Sequence, residues 1–380
     1  MKHIFYWISC LALLLSACKD NDNEDLIGVD AVLYKQILTA YVDATVIPTY
    51  RALAEAALEM RVANEALKTS PSNATMQAAS DAWMNARVWW ELSEAFLFGP
   101  VGENALDIDG HIDSWPLELG DIQAELASGA GLTGREAWQK EPEVIGFHVT
   151  EYLLYRDGRS RPVADLSEAE RNYLTAATDA LVWDCVLAYV AWVGEENVPA
   201  EMRAVFRENP DVVAHLENSA YYKNFAEKLV NATGYASWSD ALGEIATGAS
   251  EIAGEVGATK IEAPYAGHNV MEVESWYSWH SLDDYRNNIL SIKNAYLGGV
   301  DANTRQTHTL GKRVSQLDPA LDASIRAKIE DCLDKIAAIG AGGKSFYEVV
   351  RDQINARQVE AAVDACIELQ QLFDALPDIL

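Results

Sequence analysis

The sequence predicts an all-α protein of two packed helical-bundle domains, and three observations carry that expectation. Apolar residues recur at helical spacing, as in Leu33, Ile37, Tyr41, Leu53, Ala57 and Met60, the rhythm of a helix with one face turned to a core. Strand-like alternation is scarce, and Gly and Pro collect at a few turn-like places. The chain has 380 residues, long for a single core. Its polar, proline-punctuated stretch GEENVPAEMRAVFRENP at 194–210 offers a division. The expected domains are therefore 30–200 and 205–380.

The N-terminus bears on location. Lys2 and His3 precede an apolar run over 4–15 that is too short to span a bilayer and ends in Leu15-Ser16-Ala17-Cys18. This reads as a lipoprotein signal peptide over 1–18, with Cys18 as the lipidated residue. Residues 19–29, with Lys19 and then mostly acidic and polar side chains, read as a disordered tether. They also look like a surface-export signal of Gram-negative lipoproteins. The expected location is the outer membrane of such a cell, facing either its surface or the periplasm, with the lipid on Cys18 as the only membrane contact. No segment between 26 and 380 is expected to cross a membrane. A net charge of −29 would repel phosphate backbones and argues against nucleic acid as a partner. Beyond Cys10 and Cys18 the chain has Cys185, Cys332 and Cys366, without metal-type spacing. Cys332 and Cys366 could pair if their helices are antiparallel neighbours.

In chain order, a long helix or two shorter ones fill 30–67, with Pro48 bending or breaking the run. A second helix is expected from Thr75 to Phe98, ended by Gly99-Pro100. Trp83, Arg87, Trp90 and Glu94 would share one of its faces. A core stripe in which Arg87 pairs with Glu91 or Glu94 explains that face equally well. The connection 107–116 lacks a calcium-loop pattern, but His111 and Asp113 remain possible ligands. A greasy helix is expected over 142–155, started by Pro142 and closed by the turn Arg156-Asp157-Gly158. Further helices are expected from Ser167, near 212–232, over 238–256 with Gly243, Gly248 and Gly254 admitting a close neighbour, over 282–297 behind a variant Ser281/Asp284 capping box, and near 302–317, 319–339 and 353–376.

The helix at 142–155 holds the most informative pair. His148 and Glu151 stand three residues apart on one face of a segment apolar enough to be buried. A buried carboxylate costs several kcal/mol unless a partner, proton or metal meets it. A satisfied core pair, with Glu151 on an arginine elsewhere, is the plain explanation for HxxE alone.

Three stretches together alter that balance. GFHVTEYLLYRDG from Gly146 resembles the GxHxxE signature of the imelysin family of bacterial lipoproteins. WMNARVWWELSEAFLFGP from Trp83 looks like that family's preceding helix, and ESWYSWHSLDDYRNNILSIKNAYLGG from Glu274 looks like its later motif. The resemblance implies two helical bundles related by duplication and a site where they meet. Carried over, the binding residues are Arg87, Glu94, Gly146, His148, Glu151, Ser278 and Asp283, with Ser281 and Asp284 as alternatives to the last two. His148 and Glu151 are the implied metal ligands, and no catalytic residue is assigned.

The function this implies is binding of a metal ion or metal complex, iron or haem before zinc, alongside other components of bacterial iron uptake. A zinc peptidase is the alternative, but HExxH is absent and the inverted HxxEH form would need a histidine where Tyr152 stands. A structural or partner-docking lipoprotein, in which these residues form only a buried ion network, is the third reading.

Overall fold

The computed structural model describes residues 22–380 apart from 103, 130, 222 and 223, with side chains from residue 30 onward. The signal peptide over 1–18, its Cys18 and residues 19–21 of the tether lie outside the described residues. Residues 22–29, expected to be part of the tether, are helical in backbone.

The described residues form eighteen α-helices and one two-stranded sheet. α1 (Asp22–Tyr41), α2 (Ile47–Thr69) and α3 (Asn73–Glu91) lead to the short α4 (Ile108–Ile112), α5 (Leu119–Ser128) and α6 (Gly134–Trp138). Next come α7 (Gly146–Leu154), a hairpin of β1 (Tyr155–Arg156) and β2 (Arg159–Ser160), and α8 (Glu168–Val193). α9 (Ala200–Phe206), α10 (Pro210–Glu217) and α11 (Phe225–Val230) precede α12 (Trp238–Gly254) and α13 (Ala263–Gly267). The chain ends with α14 (Ser281–Leu297), α15 (Leu310–Leu317), α16 (Pro319–Ile339), α17 (Phe346–Asp352) and α18 (Ala356–Asp374).

In the first half α2, α3 and α8 pack side by side, with α7 against α3 and α8. α8 starts at a capping box, Ser167 with Glu170. It is long and apolar enough to cross a membrane by composition, contrary to the expectation above, but 94% of its apolar window is buried, so it is the core helix of this bundle. In the second half α12, α14, α16 and α18 pack together. Cys332 on α16 and Cys366 on α18 are free, buried thiols, as is Cys185 on α8. Contacts also cross the boundary expected from the sequence. α1 packs on α11 and α12, and the Tyr34 hydroxyl donates to the Leu380 carbonyl at 2.6 Å. One hydrophobic cluster runs from Tyr34 to Leu376 through both halves.

Pro48 does not break its helix. A π-helical segment, Val42–Val46, comes just before α2, and a second, Glu255–Glu262, just before Pro264 and α13. Proline lacks an N–H and its ring crowds the carbonyl four residues back, and a widened turn relieves both.

Near the site, two helix ends depart from the sequence expectation, and tertiary contacts explain both; farther away, the helix expected near 302–317 begins at Leu310 and the one expected near 212–232 is split into α10 and α11. α3 stops at Glu91 instead of Phe98, and 94–96 is a 3₁₀ turn. Ser93 Oγ donates back to the Trp90 carbonyl at 2.6 Å, while the Ala95 N–H donates to Ser291 Oγ on α14 at 2.9 Å. Gly248 of α12 lies so near the Ala95 carbonyl that a Cβ there would overlap it. The motif helix begins at Gly146 instead of Pro142, because 142–144 is a 3₁₀ turn and Ile145 is extended. Gly146 has φ +78, and a Cβ there would overlap the Ile112 carbonyl. Glycine alone meets both conditions without strain.

Candidate functional site

The site lies where α3, α4 with the residue after it, α7, α14 and the segment before α14 converge. Arg87 on α3 is fully buried. Its guanidinium pairs with Glu91 one turn along α3, with Asp113 just past α4, and with Asp284 on α14 at 3.5 Å. Asp113 Oδ2 accepts from the Trp90 indole at 2.7 Å, and Asp113 Oδ1 lies 3.1 Å from His148 Nε2. The other imidazole nitrogen, Nδ1, lies 3.2 Å from Glu151 Oε2. Glu151 Oε1 accepts from the Ser278 backbone N–H at 2.8 Å and the Ser278 hydroxyl at 2.7 Å. Ser275 Oγ donates to Asp284 Oδ2 at 2.6 Å, and the Asn288 amide donates to Glu91 Oε2. The Trp115 ring covers His148 with centroids 4.7 Å apart. Several of these bonds join residues on opposite sides of the 194–210 stretch, so the network fastens the two halves together.

The electrostatics follow from burial. Burial alone would lower the His148 pKa, but bonding to Asp113 and Glu151 outweighs it and holds the imidazole up at about 9. It is therefore an imidazolium at neutral pH. Burial would raise Asp113, yet Arg87 and His148 hold it far below the carboxylate range. Glu91 is pushed up by burial against the opposing pull of Arg87. Glu94, with only 6% exposure, is pushed well up by burial, with Lys260 opposing and Glu91 and Asp109 reinforcing. Lys260, on the second π segment, is buried with Nζ 3.3 Å from Glu274 and 3.4 Å from Glu255. Arg87, His148 and Lys260 are thus outnumbered by Glu91, Glu94, Asp109, Asp113, Glu151, Glu274 and Asp284 in one region.

The implied ligands His148 and Glu151 meet a different arrangement. Each imidazole nitrogen faces a carboxylate, and both Glu151 oxygens are engaged by Ser278 and His148. The oxygens that converge closely belong instead to Glu91, Glu94 and Asp113, within 4.8 Å of one another. Arg87 and Ser278 stand inside the network, and Gly146 permits the approach of residue 112 that brings Asp113 in. Asp283 does not reach the network: it is exposed and lies 3.2 Å from His280, while Asp284, a helical step of about 100° away, meets Arg87. Ser281 caps nothing, its hydroxyl donating to the Glu274 carbonyl at 2.6 Å. His111 is placed apart, bonded to Asp184 at 2.7 Å and to the Trp138 carbonyl.

Sequence reasoning missed Asn288, Lys260 and Glu274. Asn288 lies one turn beyond Asp284 on α14, a spacing that could have flagged it; a lysine within a π segment gives no such signal.

The imelysin family profile matches residues 46–374. The chain belongs to the imelysin family. Iron-regulated protein A of Synechococcus elongatus is 27% identical over 369 residues, covering 95% of this chain and 90% of that protein. A solved structure from Parabacteroides distasonis, described as an iron-regulated protein A precursor, has a TM-score of 0.76 at 27% identity, covering 91% of this chain and 94% of that one. An imelysin-like protein from Psychrobacter arcticum has a TM-score of 0.60 at 14% identity over the same shares, a likeness of fold. This imelysin-family chain is thus all-α, and its site residues lie on elements inside the matched region.

Proposed function

We propose that this protein is a lipid-anchored envelope protein of bacterial iron uptake, tethered through Cys18 to a Gram-negative outer membrane, that holds a metal species between its two helical halves. The observation that carries this reading is the surplus of buried carboxylate around Arg87, His148 and Lys260. Buried carboxylates in excess of their cations must take up protons or a further cation. The relatives that carry the name iron-regulated protein A support iron as the biological context. Other components of iron uptake would deliver or receive the metal.

A zinc peptidase is less well supported. Catalytic zinc needs three protein ligands and an open water position. Each His148 nitrogen already faces a carboxylate, and Tyr152, where a further histidine would be needed, instead packs on the Tyr277 ring at 5.2 Å. A chelator-sensitive peptide cleavage that disappears in Glu151→Gln would restore that reading.

The test is elemental analysis of protein purified without chelator, followed by titration of the stripped protein with iron(II), iron(III) citrate and haem. The expected result is one saturable equivalent of metal or haem per chain. Absence of saturable binding for all three would leave the network as architecture and end the binding reading.

A further inference from the structure

The acidic network occupies one end of α14. At the other end, about 20 Å along the helix from Asp284, a pocket of about 410 Å³ opens between Leu297, the loop before α15, α15 itself and α16. Its walls carry Arg305, Lys312 and Arg326 with the hydroxyl residues Thr307 and Thr309, and none of the described residues that line it is acidic. The chain has 58 acidic residues against 29 lysines and arginines. A wall of three cations without a carboxylate is therefore the reverse of what this composition supplies.

The cations are only partly answered by their neighbours. Arg305 has no carboxylate partner: Nη1 donates to the Gly299 carbonyl at 2.5 Å and Nη2 to Asn294 Oδ1 at 3.0 Å, so neutral acceptors fix the guanidinium in place. Burial pulls its pKa below the usual value, and the fields of Asp301 and Glu330 do not make up the loss. Glu330 is itself paired with Lys293 at 2.6 Å. The Lys312 ammonium is exposed, with no hydrogen bond or ion pair among the described residues. Arg326 does have an acid, with Nε 2.8 Å from Asp322 Oδ1, and it is steadied over the Tyr296 ring at 5.6 Å. Thr309 caps α15, its Oγ1 accepting from the Lys312 N–H at 3.0 Å, which leaves its own O–H to donate. An unpaired surface lysine is ordinary, and so is a helix cap. A half-buried guanidinium without a carboxylate, facing the same cavity as a free ammonium, calls for an anion.

We propose that this pocket is a seat for one phosphate group, held by Arg305, Lys312 and Arg326 with Thr307 and Thr309 as hydroxyl donors. A phosphate monoester carries about −1.5 to −2 at neutral pH and offers three acceptor oxygens, which suits cations that approach from three separate segments. A carboxylate, planar and singly charged, would leave part of that wall unanswered. The pocket is many times the volume of a water molecule, about 30 Å³, and includes Leu297, so it has space for the group that bears the phosphate. The net charge of −29 still repels an extended polyanion, but a single group in the pocket sits within a screening length, about 8–10 Å, of the local cations. Two sources share this chemistry, a lipid headgroup and a soluble phosphate ester. An adjoining hollow reaches Leu33 and Ile37 of α1 past Thr309 and Lys312, and α1 follows the expected tether to the membrane. The seat does not depend on the metal reading.

The test is isothermal titration calorimetry of the metal-stripped full chain with inorganic phosphate, glycerol 3-phosphate and short-chain phosphatidic acid below its micelle concentration. The wild type is expected to bind one equivalent of at least one of them saturably. Lys312→Gln is expected to weaken that binding by about 10–100-fold, as for loss of a charged hydrogen bond, and to melt with the wild type because the ammonium has no partner to lose. Lys312→Arg, which keeps the charge, is expected to retain the site. Lys68→Gln, at an exposed lysine on α2 outside the pocket, is expected to bind as the wild type does. Tighter binding of phosphatidic acid than of glycerol 3-phosphate assigns the seat to a lipid headgroup, and equal or weaker binding assigns it to a soluble ester. No saturable binding of any of the three, or equal affinity in the wild type and Lys312→Gln, would overturn the seat and leave the metal reading untouched.

Discussion

Replacing Arg87 with glutamine removes the fixed charge at the centre of the network. The guanidinium is fully buried and is shared by Glu91, Asp113 and Asp284, so its loss strands carboxylates in a dry interior. Breaking a buried ion pair from one side costs about 3–5 kcal/mol, because the remaining charge is left without compensation. Three carboxylates share this cation, so the upper part of that range is expected at pH 7.5. The pH dependence carries a sign. In the wild type Asp113 is held well below its ordinary value, so its contribution is present above about pH 4 and is lost only as the pH falls through its folded value. In Arg87→Gln Asp113 is expected to lose most of that depression, and Glu91 and Asp284, already raised by burial, are expected to rise further, which makes them destabilising at neutral pH and relieves them as acid protonates them. The penalty should therefore shrink by about 1–2 kcal/mol between pH 7.5 and pH 5, since one pKa unit is worth about 1.4 kcal/mol. Urea unfolding followed by circular dichroism at both pH values measures it. A penalty below about 1 kcal/mol, or one that does not change with pH, would refute the claim that Arg87 compensates buried carboxylates.

Three other predictions concern the residues around it. Gly146→Ala is expected to cost about 2–4 kcal/mol in urea unfolding, from the left-handed backbone and the overlap with the Ile112 carbonyl; a change under 1 kcal/mol would contradict the close approach. His148 has its folded pKa raised to about 9, so its contribution is fully present below an unfolded value of about 6.5 and is lost as the pH rises through 9. Unfolding free energy should accordingly fall by about 3 kcal/mol from pH 6.5 to 9.5 and fall much less in His148→Gln, with equal slopes arguing against a charged imidazole. Ser278→Ala keeps the backbone donor to Glu151 but deletes the hydroxyl donor, and is expected to cost about 1–3 kcal/mol; a neutral result would mean that Glu151 does not depend on that bond.

The helical class and the main site elements were legible because they rest on local signals. Helical spacing, capping residues and the pairing of His148 with Glu151 are written within single turns, and Trp83, Arg87 and Trp90 do share the inward face of α3. What escaped depends on contacts between distant segments. The end of α3 at Glu91 is set by Ser291 and Gly248, about 200 and 155 positions away. The choice of Asp284 over Asp283 turns on a single helical step whose direction is fixed only once α14 is seated against α3. Ser281 and Asp284 have the spacing of a capping pair, but the pull of Arg87 on Asp284 and of the Glu274 carbonyl on Ser281 is available only in the fold. Lys260 lies in a helix with unremarkable periodicity, and only its burial beside Glu274 marks it.

The most direct test of a metal seat between the halves is a crystal of the protein soaked in manganese(II), with anomalous scattering used to find the ion. The account predicts one strong peak among the buried carboxylates that surround Arg87, His148 and Lys260 between the halves. No peak between the halves, or peaks only on exposed surface carboxylates, would contradict it.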